Sequence, residues 1–250
     1  MVISIATQKG GTGKTTTSIS LAAGVARKGK HALLIDIDSQ ANSSKVLLAD
    51  YPSLTKDQTL YATIIDRKPL VIHASKVPGL DVVPSHILLS DTDMVLTTAL
   101  DHRESRLKSK LDAIKAQYDY VFIDCPPALG WLTINAFTAS DEIIVVVEPG
   151  YFELDSVVQI TKTVKEVQEI FNASLKIRGF LFTKSDPTLN SKTSLETLRN
   201  VYPDTVLDTV IPRNTDIRDA VFHKQDIFAY NPRAKSALAY QRLIQELFSL

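Results

Sequence analysis

The sequence predicts an α/β fold: one mostly parallel, twisted sheet of about seven or eight strands, with helices on both faces. Three observations lead there. Short apolar runs rich in β-branched residues recur along the whole chain. Most of these runs are continuous rather than alternating, as expected of strands covered on both sides. Segments with helical spacing stand between them, and that alternation implies right-handed crossovers between parallel neighbours.

In order, the strands fall at 2–6 (VISIA), 31–37 (HALLIDI), 80–84 (LDVVP), 120–124 (YVFID), 142–148 (EIIVVVE), 177–183 (IRGFLFT) and 205–211 (TVLDTVI). Helices are expected over 15–27, 40–48, 104–117, 155–171 and 191–201, and in the C-terminal SALAYQRLIQELFSL. Gly79, Pro84, Gly130, Pro149 and Gly150 punctuate the junctions. No repeat, biased tract or long linker interrupts the pattern, so residues 1–250 read as a single domain.

The bulk numbers exclude several classes. There are 28 basic and 28 acidic residues, so no global field draws the chain to nucleic acid or to an anionic membrane. Any such binding needs a local patch. The one cysteine, Cys125, cannot form an internal disulfide, which suits a reducing cytoplasm. The N-terminus lacks a signal-peptide pattern. No stretch approaches the ~20 apolar residues of a membrane span.

The most informative stretch is QKGGTGKTTT, residues 8–17. It joins the first strand to the first helix. Gly10, Gly11 and Gly13 let the backbone adopt positive φ and bring its N–H groups close to a ligand. Those groups and the following helix N-terminus make a site for an anion. Lys14 supplies a cation to the β- and γ-phosphates of a nucleotide, and Thr15 offers a hydroxyl to Mg²⁺. A glycine turn that binds nothing would require neither the Lys-Thr pair nor the upstream strand. Two further sites end in carboxylates. HALLIDID closes on Asp36 and Asp38, and YVFID closes on Asp124, each at a strand end beside the loop. Asp124 is placed to hold Mg²⁺ through water. Asp38 also stands where it can cap the helix at 40–48, and capping and catalysis are not exclusive.

The loop places Gln8 where the general GxxxxGK[ST] pattern has its first glycine, and Lys9 follows. The combination KGGTGKTT resembles the deviant Walker A motif of the ParA/MinD family of ATPases, and is closest to small Soj-type ParA proteins. The resemblance covers essentially the whole chain. It implies a P-loop NTPase fold, with ATP and Mg²⁺ held by Lys9, Gly10, Gly11, Thr12, Gly13, Lys14, Thr15 and Thr16. It implies that Lys9 crosses a dimer interface to the other subunit's nucleotide. A cation arriving in trans makes dimerisation depend on the triphosphate and adds charge in the transition state. Asp38 is implied to orient the attacking water and Asp36 to support the Mg²⁺ shell. The family's D-x-D-P-Q-G-N here reads DIDSQAN, with Ser39 for proline and Ala41 for glycine. Asp124 matches the Walker B position, and DCPP resembles the switch segment. Cys125 reads as a packing residue, and the cluster-ligating cysteines of the nitrogenase iron-protein branch are lacking.

By the same resemblance, Lys184, Pro212, Arg213 and Asn214 hold adenine. Glu148 and Tyr151 are candidates for the dimer interface, though Tyr151 and Phe152 fit equally as aromatic caps on the core. Arg218, Lys224 and Lys235 are implied to contact DNA. Basic residues at 103, 106, 108, 110 and 115 form a second candidate patch. The C-terminal helix carries only Arg242 and Glu246 as charges, too few for a membrane-surface anchor, so no membrane binding is expected. The first strand starts at Val2, so no operator-reading extension is expected.

The resemblance thus implies a cytoplasmic, nucleoid-associated ATPase. It dimerises on ATP, binds nonspecific DNA and positions a plasmid, a chromosome region or a protein cargo. A ParB-type or cargo-adaptor partner stimulates its hydrolysis. A MinD-like membrane regulator, a carboxysome-positioning McdA-type ATPase and a metabolic P-loop enzyme are the alternatives.

Overall fold

A computed structural model of the chain describes residues 1–150 and 153–250. The strands are β1 (Val2–Ala6), β2 (Ala32–Asp36), β3 (His73–Ala74), β4 (Leu80–Val83), β5 (Tyr120–Asp124), β6 (Glu142–Val147) and β7 (Lys176–Phe182). They form one sheet in the order β3-β4-β2-β5-β1-β6-β7. All pairings are parallel except the short β3 against β4.

The helices are α1 (Lys14–Arg27), α2 (Asn42–Leu47), α3 (Leu60–Ile64), α4 (Thr92–Thr98), α5 (Arg106–Leu111), α6 (Trp131–Ala139), α7 (Glu153–Ile170), α8 (Leu189–Val201), α9 (Asp216–Phe222), α10 (Ile227–Tyr230) and α11 (Lys235–Phe248). Alternate residues of each strand feed two cores, as the pleat requires. Ile3, Leu34, Phe122, Ile144 and Leu181 pack under α1, α2, α9, α10 and α11. Leu33, Ile35, Val121, Ile123 and Val145 pack under α3 to α8. Both sides of the strands are therefore dry, which explains their unbroken apolar runs. Among the described residues no helix is long and apolar enough to cross a membrane.

Four expectations are corrected. The run 205–211 forms no strand of the sheet; it meets β7 through an isolated bridge, Phe180 to Val206, and through the Ile211 N–H on the Phe182 carbonyl at 2.9 Å. Between them the Glu246 carboxylate accepts the N–H groups of Asp208 and Thr209, at 2.8 and 2.9 Å, and draws the chain off the ladder. The two-residue β3 has no apolar run to announce it. The helix expected at 104–117 stops at Leu111, its last buried leucine, and a 3₁₀ turn follows at Lys115–Gln117. The helix expected at 40–48 begins at Asn42, after Ala41 in a left-handed conformation with φ 54. Asp38 does not cap it; its Oδ1 accepts the Gln40 N–H of the preceding turn at 3.0 Å.

Candidate nucleotide site

Strands β1, β5 and β2 end together, with Ile5 beside Asp124 and Asp124 beside Asp36 in register. The glycine-rich loop rises from that edge. Gly11 and Gly13 take φ of 79 and 102, which a side chain would strain. A Cβ added at Gly10 or Gly11 would meet nothing within 4 Å, so the loop keeps an open inner side. Helix α1 then starts on Gly13 with no side-chain cap and no acid in its first turn. Its first N–H groups are thus left for an external acceptor. The loop is braced from behind: the Thr183 hydroxyl donates to the Thr12 carbonyl at 2.7 Å, and Gln8 donates to Gln159 of α7.

The two lysines of the loop occupy different environments. Lys14 is buried, 6% exposed. Burial pulls its pKa down, opposed by the charges of Asp124 and Asp38. Lys9 lies at the outer rim, half exposed, with its Nζ 2.9 Å from Glu148 Oε1. Glu148 also holds Lys184, at 3.1 Å. The Lys184 ammonium donates in turn to the Gly11 carbonyl. Burial would raise the Glu148 pKa, but hydrogen bonds from Lys9 and Lys184 outweigh it and hold the carboxyl low.

The carboxylates sort by depth. Asp36 and Asp124 are almost fully buried. Asp36 Oδ2 accepts the Ser44 N–H and hydroxyl at 2.9 and 2.7 Å, and its Oδ1 accepts the Asp38 N–H at 3.3 Å. Asp124 accepts the hydroxyls of Ser18 at 3.0 Å and Ser43 at 2.5 Å. A Thr15 hydrogen bond also lowers its pKa. Burial pushes the Asp36 pKa well up, and the neighbouring Asp124 charge adds to it. Burial likewise pushes Asp124 up, to about 6. Asp38 stands further out, half-buried, at the end of the same turn. Cys125 is fully buried, and burial pushes its thiol up to about 12, which suits packing rather than reactivity.

The raised carboxyl pair carries a pH prediction. Between about 4 and about 6 the folded chain retains a proton that the unfolded chain releases. This contribution to stability is present at low pH and is lost as pH rises through the folded pKa. Without Mg²⁺ or nucleotide, the chain is expected to be about 1–2 kcal/mol less stable at pH 7.5 than at pH 5 from this pair. Thermal melts at the two pH values check it. Asp124→Asn should flatten the difference, because the titration near 6 is that of Asp124.

Beside the loop lies a cavity of about 260 Å³, walled by Gly13, Thr16, Lys184, Pro212, Arg213 and Asn214 among others. The four residues implied for adenine therefore meet at one place, next to the phosphate loop. Arg218, implied for DNA, lines the same cavity. Tyr240 of α11 completes the wall, its hydroxyl 3.0 Å from that of Thr17. Lys224 is elsewhere, near Lys76, whose Nζ reaches the Lys224 carbonyl at 3.4 Å. Burial lowers the Lys76 pKa, and the Lys224 charge adds to it. Lys235 opens α11. The second basic patch is largely neutralised: Lys108 and Lys115 both pair with Asp112, Arg106 is buried on Asp101, and Arg103 lies over the Trp131 ring at 4.1 Å. Tyr151 lies outside the described residues.

A family model described as an AAA domain matches residues 1–177. The chain is 40% identical to the sporulation initiation inhibitor protein Soj of Bacillus subtilis, over 98% of this chain and 97% of Soj. It is 34% identical to the chromosome partitioning protein ParA of Myxococcus xanthus, over 98% and 87% of the two chains. The chain belongs to the ParA/Soj family of P-loop ATPases. The fold agrees. The septum site-determining protein MinD of Pyrococcus horikoshii OT3, solved with Mg-ADP, superposes with a TM-score of 0.79 at 25% identity, covering 99% of this chain and 95% of MinD.

Within that ParA/Soj framework, several residues carry no sequence signal. Ser18, Ser43 and Ser44 hold the buried carboxylates, yet read as ordinary helix residues. Lys76 joins Lys224 only through the fold. Glu148 was legible as a candidate, but its grip on two lysines was not.

Proposed function

We propose that the chain is a DNA-positioning ATPase of the partition type. ATP lies with its phosphates at residues 9–16 and its base between Lys184 and the segment 212–214. The donor set for Mg²⁺ is all oxygen, which suits a hard cation. Thr15 and Asp124 would hold the ion, with Asp36 supporting them, and the bound ion would neutralise charge on the phosphates. Asp38 orients the attacking water. Two ATP-loaded copies join, and Lys9 of each reaches the triphosphate of the other. The joined pair binds DNA without sequence preference, on the nucleoid, through a surface that includes Lys76, Lys224 and Lys235. A ParB-type or cargo-adaptor protein stimulates hydrolysis and releases the pair.

The observation that carries this reading is the separation of the two loop lysines. Lys14 is buried against Asp124, while Lys9 lies half exposed outside its own phosphate cradle. The name of one relative, the chromosome partitioning protein ParA, supports the partition role. The close approach of Lys76 and Lys224 supports the DNA surface, because a phosphate between two cations relieves their repulsion. Burial of Leu243, Ile244 and Leu247 of α11 in the core supports the DNA reading over a MinD-like membrane one.

The test is a gel-shift titration on random-sequence DNA with ATP, with ADP and without nucleotide, repeated with Lys9→Ala. A shift is expected with ATP alone, and only in the wild type. It should weaken about 10³–10⁵-fold between 50 and 200 mM salt if the pair makes six to ten phosphate contacts. A shift retained with ADP, or in Lys9→Ala, sinks the reading.

A further inference from the structure

The bridging lysine is held by its own subunit. Glu148 sits at the end of β6 and takes one cation on each oxygen: Lys9 on Oε1 at 2.9 Å and Lys184 on Oε2 at 3.1 Å. Its side chain is only 16% exposed, while those of Lys9 and Lys184 are 50% and 39% exposed. A carboxylate this sheltered needs a partner, because leaving it unpaired is expensive. It needs only one. Lys184 is fixed a second time by the Gly11 carbonyl, so it is the permanent partner. Lys9, the more exposed of the two, can leave while Glu148 keeps its charge neutralised.

We propose that Glu148 is a positioning residue that stores Lys9 in cis and releases it only to the triphosphate of a second copy. The proposal rests on the two-protomer reading above. The exchange is between unequal anions. Lys9 leaves a carboxylate already shared with another lysine and meets a triphosphate carrying several charges. A diphosphate offers less, so the stored position discriminates between nucleotides as well as between free and paired protomers. Storage also keeps Lys9 off its own subunit's phosphates before the partner arrives. The contact through Lys184 ties the device to the base, since Lys184 walls the cavity where adenine is placed.

Two measurements on the full-length chain test this, with Glu148→Gln preserving side-chain volume. The first is acetylation of lysines without nucleotide, read by mass spectrometry. An ion-paired ammonium reacts slowly, so Lys9 is expected to label about threefold faster in Glu148→Gln, with exposed Lys28 as an unchanged internal control. Equal labelling of Lys9 in both proteins overturns the stored position. The second is the protein concentration at which half the chains dimerise with Mg²⁺ and the non-hydrolysable analogue AMPPNP. It is expected to fall about threefold in Glu148→Gln. A wild type that dimerises, with an unchanged or higher midpoint in the variant, overturns the latch alone. A wild type that stays monomeric overturns the two-protomer reading and the latch with it.

Discussion

Asp38→Asn is expected to lower the ATPase rate by about 10²–10⁴-fold, the usual contribution of a positioned general base, and to leave AMPPNP affinity within a few-fold of wild type. Asp36 has both oxygens committed to Ser44 and Asp38 backbone or hydroxyl donors, and burial favours its protonated form. Asp124 is likewise buried, and is engaged by Ser18 and Ser43. Neither is free to take a proton from a water in the cleft. Asp38 is half-buried, and its Oδ1 is steadied by the Gln40 N–H. Asparagine keeps that hydrogen bond and the volume but cannot accept the proton. Phosphate release and fluorescent-nucleotide titration, run side by side, separate the two effects. Full hydrolysis in the variant would remove Asp38 from the role.

Lys14→Met is expected to weaken ATP binding by at least about 10³-fold, since several charge-assisted contacts to the phosphates go at once. The same change should leave the ligand-free chain as stable as wild type, or more so. Lys14 is an ammonium held at 6% exposure, with its pKa pulled down by burial. A methionine of similar shape fills the space without that penalty. The opposed signs are diagnostic. A lysine kept for the fold would lose stability on replacement; one kept for the ligand loses only affinity. Calorimetric titration and a thermal melt of the same sample decide between them. A melting temperature several degrees below wild type would show that Lys14 serves the fold.

Legibility followed distance along the chain. The phosphate loop was readable because its chemistry lies in ten consecutive residues between a strand and a helix. Asp36 and Asp124 were readable because strand ends announce themselves. The wall at 212–214 was readable only through resemblance, and the fold brings it to Gly13 and Lys184. What stayed hidden were contacts between distant segments. Lys76 and Lys224 are 148 residues apart in sequence. Glu148 meets Lys9 across the β1–β6 pairing. The loss of the strand at 205–211 comes from Glu246, a residue of the last helix, which no local pattern reveals. The basic run at 103–115 reads equally as a patch or as an ordinary solvated face, and Asp112, Asp101 and Trp131 engage four of its five cations.

The closing helix has a practical meaning. Tyr240 both walls the cavity beside the phosphate loop and touches Thr17 of the first helix, while Ile244 and Leu247 plug the core one and two turns later. Cropping the tail would therefore open the interior and remove one wall of the cavity beside the phosphate loop. A truncated chain that stopped associating with liposomes or chromosomes would report a collapsed pocket, not a missing address label. Questions of cellular whereabouts belong to single exposed side chains on that helix, exchanged one at a time.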